Sequence, residues 1–140
     1  MKRNTEFARV AMVVVAQFPA VAETNEAEIL AAFCDEEDML PTIFIREETS
    51  SGLLDTRGYQ TIMDMLDKDM IDGVLVISGE ILDGEFGNKL VADSEEKDFF
   101  IMSYEQEMAI RAAEAQKQNE ALFFAKAFGQ GVDILSVLVI

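Results

Sequence analysis

Apart from Arg9, residues 9–16 form an unbroken apolar run rich in valine, including Val13, Val14 and Val15. A run of this kind predicts a strand covered on both faces, as in a parallel sheet; a half-exposed strand would alternate. Phe18 and Pro19 close it. From Thr24, a candidate N-cap, the positions Ala27, Ile29, Leu30, Ala31 and Phe33 predict a helix to about Cys34. The acidic cluster Asp35, Glu36, Glu37 and Asp38 follows. Pro41 precedes a second short strand at 42–45, and the polar residues 46–52 read as a loop. A second helix is expected over about 58–66, with Ile62, Met63, Met65 and Leu66 inward. Gly73 opens a third strand at 74–77, which Ser78 and Gly79 end.

Residues 87–129 are helical in character and long for one crossover. Asp93 or Ser94 is a candidate cap, with Glu95 and Glu96 in the first turn, where acidic groups complement the helix dipole. Ile101, Tyr104, Met108, Ala112, Ala115 and Leu122 recur at spacings of three, four and seven. Whether residues 86–112 form one long helix or two shorter ones is left open by this pattern. The glycines at 129 and 131 stop it, and the apolar residues 132–140 predict a last strand. Strand alternating with helix implies an α/β fold: a short, mostly parallel sheet of about four strands with flanking helices and one long helix before the last strand. No repeats or linkers interrupt the 140 residues, so one domain is expected, with 86–112 as a helical extension.

Composition narrows the chemistry. The chain has no histidine, which removes histidine-based acid–base catalysis, nucleophile activation and metal ligation. Its single cysteine, Cys34, excludes an intramolecular disulfide and any multi-thiolate metal site, and fits a reducing compartment. The formal charge of −16 disfavours independent DNA binding, which depends on basic side chains neutralising phosphates. The basic start and the run at 10–16 only superficially suggest a leader; seven apolar residues are too few to span a bilayer. These features point to a cytoplasmic protein without a membrane anchor, metal or cofactor.

Three segments, in order, resemble the catalytic domain of the serine recombinases, the resolvase/invertase family. The strand at 9–15 resembles the family's first strand. Residues 48–60, Glu-Thr-Ser-Ser-Gly-Leu-Leu-Asp-Thr-Arg-Gly-Tyr-Gln, resemble its acidic residue, Ser-Gly and Asp-Arg-x-Gly segment leading into a helix. Residues 73–76 followed by Glu80, Ile81 and Leu82 resemble its third strand and the Leu-Asp-Arg-Leu after it, and residues 131–136 resemble its fourth strand.

The resemblance implies a DNA-cleaving serine surrounded by arginines, which stabilise charge on the phosphate. Those residues are absent. The first-strand arginine corresponds to Val15 and the nucleophile to Gln17. The middle-segment arginine corresponds to Thr56, with Arg57 one place away. The acidic positions survive as Glu48 and Glu80, and the last two arginines become Ile81 and Gly84. The resemblance therefore implies an inactive recombinase-like domain that works through protein contacts, as an accessory to recombination on a mobile element.

Two other classes stay open. One is a small α/β enzyme with a carboxylate or metal site at the strand ends, where Glu80, Asp83 and Glu85 gather in sequence. The other is a structural protein that oligomerises through its long helix. For self-association the expected surface is Phe99, Ile101 and Met108, too apolar a set for a solvated arm. Ser50 and Ser51 lack a nearby histidine or lysine base and read as loop-capping residues.

Overall fold

The structure is a computed structural model that describes residues 7–17 and 25–129, with side chains up to Ala121. The chain divides into two compact units, residues 1–106 and 107–140. The first holds an α/β sheet domain, and the described part of the second is helical.

Four strands form one all-parallel sheet: β1 (Ala8–Gln17), β2 (Met39–Thr49), β3 (Gly73–Val76) and β4 (Phe100–Ser103), in the order β2-β1-β3-β4. Between them run helices α1 (Glu26–Glu36), α2 (Thr56–Asp67) and α3 (Glu85–Lys97), and a short 3-10 turn (Gly79–Leu82) precedes α3. Helix α4 (Tyr104–Gly129) follows β4 directly.

The valine run is the centre of this sheet. Val10 through Val15 are all buried, and alternate residues serve opposite faces. Ala11, Val13 and Val15 share a core with Ile45, Ile62, Val74, Val76 and Leu90, on the side of α2 and α3. Val10, Met12 and Val14 face the other way, toward α1, whose buried residues are Leu30, Phe33 and Cys34. Phe33 meets Tyr104, in the first turn of α4, edge to face with ring centres 5.5 Å apart.

Several sequence expectations need correction. Strand β2 runs over 11 residues, so Arg46 to Thr49 belong to the strand rather than to a loop. Pro41 lies inside it, at the point where the pairing with β1 shifts register between Val10 and Ala11. A proline is tolerated there because β2 is an edge strand and the irregularity frees its missing donor. The helical stretch expected over 87–129 is interrupted: α3 ends at Lys97, Asp98 takes a left-handed φ of 56°, and β4 intervenes before α4. Ser94 is thus inside α3 and does not cap a helix. The fourth strand of the sheet is Phe100–Ser103; the one expected at 132–140 lies outside the described residues, as does Thr24.

At the amino-terminal end of the sheet, Arg9 is buried and fully engaged. Its guanidinium donates to both carboxylate oxygens of Asp72, at 2.8 and 3.1 Å, and to the Asp69 carboxylate and carbonyl. These contacts pin the start of β1 to the loop before β3. They raise the Arg9 pKa further above its ordinary value, Asp72 being the chief cause.

Candidate functional site

In a parallel sheet the strand order changes direction between β1 and β3, and the carboxyl ends of the strands are where such folds place ligands. Val15, Gln17, Glu48 and Thr56 all fall at this end, as do Glu80, Ile81 and Gly84 after β3. Direct contacts join them. The Gln17 amide donates to the Ser50 carbonyl at 3.2 Å, and the Leu54 N–H donates to the Ile81 carbonyl at 2.8 Å. A Cβ on Gly84 would lie 3.1 Å from the Leu53 side chain. Among the described residues, the segments that resemble the recombinases therefore meet at one end of the sheet; residues 131–136 lie outside them.

They do not make a site of the expected composition. Gln17 pairs in register with Thr49, and Glu48 with Ala16. Because side chains alternate along a strand, Gln17 and Glu48 lie on opposite faces of the sheet. Glu48 is exposed and bonds Arg46 on its own strand at 3.0 Å. The carboxylate on the Gln17 face is Glu47, which sequence reasoning missed. Its signal was the alternation Ile43, Ile45, Glu47, hidden while residues 46–52 read as a loop.

Glu47 is buried, and its role is structural. One carboxylate oxygen accepts the Asp55 N–H and the other the Gly58 N–H, each at 2.8 Å. The Asp55 side chain accepts the Thr56 N–H, also at 2.8 Å. Together they satisfy the N–H groups of Asp55, Thr56 and Gly58 at the start of α2 with negative charge, where the helix dipole favours it. Gly58 makes room for this arrangement. A Cβ there would sit 2.9 Å from the nearer Glu47 oxygen and 2.7 Å from the Leu54 side chain.

Three serines at this end are spent on the backbone. Ser78 Oγ accepts the Glu80 N–H, Ser103 Oγ donates to the Ile77 carbonyl, and Ser51 Oγ accepts the Leu53 N–H. Glu80 and Asp83 are exposed. Among the described residues no three acidic or thiol side chains converge in a way that would hold a metal ion.

A groove of about 720 Å³ opens along the outer side of β2, between the strand and the first half of α2. Arg46, Arg57 and Thr61 line it, with Ile43, Phe44 and Ile45 at its apolar end. Gln17 does not. Arg57, one place from the position the resemblance points to, thus belongs to this groove and makes no ion pair among the described residues.

The expected self-association set is divided in the structure. Phe99 is buried in the sheet core and Ile101, in β4, packs against it, so both are committed to the fold. Met108 is half-buried in α4. No described helix is long and apolar enough to cross a membrane. No family model and no curated protein matches this chain.

Proposed function

We propose that this chain is a catalytically inactive, serine-recombinase-like domain that acts through protein–protein contacts, as an accessory to site-specific recombination on a mobile element. One observation carries the reading: the sheet end where the resembling segments meet offers glutamine for the nucleophile, and the arginines near it, Arg46 and Arg57, line a groove that Gln17 does not. Arg9 lies at the opposite end of β1, bound to Asp69 and Asp72. Arg46 is paired with Glu48, and Arg57 lines the outer groove. A carboxamide is not a nucleophile for phosphodiesters, and without cations the charge on a reacting phosphate goes unstabilised. The surplus of acidic residues agrees, since no step in this role requires attraction of DNA.

The test is incubation with supercoiled plasmid DNA, followed by denaturing gels for nicks and covalent protein–DNA adducts. Neither product is expected, and neither is a mobility shift of duplex DNA at physiological salt. A covalent adduct would overturn the proposal.

A further inference from the structure

We propose that the groove beside β2 is a docking site for an extended segment of another protein, which adds to the free strand edge over residues 43–49 and sets a carboxylate side chain on Arg57. The proposal rests on the reading that the domain acts through protein contacts, and it names the chemistry of the partner.

Among the described residues no strand pairs with the outer edge of β2. Pro41 and the register shift break the first part of that edge. Thr42 has no partner on β1, and Leu40, opposite Arg9, faces the other way from Phe44, opposite Met12. From Ile43 to Thr49 the pairing with β1 is regular, so every second residue there turns its N–H and C=O outward. This length is roughly 20 Å, enough for about six residues of extended chain. The groove of about 720 Å³ follows the same residues, with the first half of α2 as its other wall. An open strand edge of this kind holds a peptide by main-chain hydrogen bonds, and the lining side chains then choose its sequence.

Charge decides which sequence. Arg46, Glu47, Glu48, Asp55 and Arg57 are the charged side chains of the lining, and all but Arg57 are engaged with neighbours. Arg46 and Glu48 pair with each other, while Glu47 and Asp55 accept N–H groups at the start of α2. Arg57 makes no ion pair among the described residues. Its place is also unusual. As the second residue of α2 it sets a positive charge where the helix dipole favours a negative one. A residue that goes against the local preference of its own helix points to a role outside folding. In a chain of net charge −16, an exposed, unpaired guanidinium at the end of a groove draws an acidic side chain. At the other end Ile43 is half-buried and Phe44 is 43% exposed, which favours an apolar residue near the acidic one. The same net charge disfavours a nucleic acid as the occupant.

The test is to pan a displayed library of short random peptides on the full chain, then titrate labelled copies of the selected peptides by fluorescence anisotropy. The expected selection is an acidic residue among apolar and β-branched ones. Arg57→Glu should weaken these peptides about tenfold or more, and Arg57→Gln should weaken them less. Panning on Arg57→Glu should select lysine or arginine in place of the acid, since the sign of the preference follows the sign of the groove. Hydrogen exchange on the unmutated chain with peptide bound should show protection centred on residues 43–49; this arm holds even if a variant misfolds. A library that yields no binder overturns the proposal. So do binders indifferent to Arg57→Glu, or protection that spares β2. A short DNA duplex that displaces the peptide would also overturn it, making the groove a phosphate site. None of the first three outcomes touches the inactive-domain reading, which falls only to a covalent DNA adduct.

Discussion

Two backbone N–H groups at the start of α2 end on a single buried carboxylate, so Glu47 holds a helix terminus and a strand together. Removing it leaves both donors without a partner, each costing about 1–3 kcal/mol when desolvated. Glu47→Ala should therefore lower stability in urea by about 2 kcal/mol or more, and Glu47→Gln, which keeps one acceptor oxygen, by less. Tyr59 offers a second measurement at this scale. Its hydroxyl donates to Asp93 on α3, and that bond, with burial, pushes its pKa up from 10 to about 12. The protonated form is the one favoured in the fold. Its contribution is complete below the unfolded value near 10 and is lost as pH rises through about 12. Ultraviolet titration should show a phenol ionising near 12, and Asp93→Asn should lower that midpoint. The sequence gives no sign of the Tyr59–Asp93 pair, because 34 residues separate the partners and only the packing of α2 on α3 joins them. Glu47 was closer to legible, had the strand been extended to its true end.

At the scale of elements, legibility followed length and period. The valine run, the helix from 58 to 66 and the third strand are recognisable because each keeps one period between clear stops. Strand β4 was missed for a physical reason. Phe99, Phe100, Ile101 and Met102 are a short apolar run that suits a buried strand and a helix face equally. The stop before it is Asp98 in a left-handed conformation, where a glycine would have announced the helix end. The start of α3 depends on a closer fit than its sequence reveals. A Cβ on Gly87 would lie 2.2 Å from the Leu82 backbone, so the 3-10 turn and α3 meet at a distance only glycine allows. At Gly58 the obstacles are side chains, the nearest being a flexible Leu54 methyl at 2.7 Å. Gly58→Ala should cost about 1–3 kcal/mol, as overpacking does, by displacing Glu47 from its cap. Gly87→Ala should cost more, since a backbone yields less than a side-chain tip. Equal losses in chemical denaturation would refute this ranking.

At the scale of the whole molecule, charge governs how stability responds to solution conditions. With 27 acidic against 11 basic residues and no histidine, no side chain of ordinary pKa changes charge between about pH 6 and 7.5. Burial pushes the Cys34 thiol up, away from that window. The urea midpoint should therefore stay flat across it. Ionic strength should act instead. Repulsion among exposed carboxylates opposes the compact state and is screened within about 10 Å at 0.1 M salt. The partly buried Arg9–Asp72 pair is screened far less. Raising sodium chloride from about 0.02 to about 0.5 M should therefore raise the urea midpoint. A single substitution separates this effect from general salting-out. Glu96 is exposed in the last turn of α3, where a negative charge opposes the helix dipole as well as its neighbours Glu95 and Asp98. Glu96→Lys should stabilise the chain by about 0.3–1 kcal/mol at low salt. That gain should shrink at high salt, because the repulsion it relieves is already screened. A gain independent of salt, or a wild-type midpoint that falls as salt is added, would show that net charge does not limit the stability of this fold.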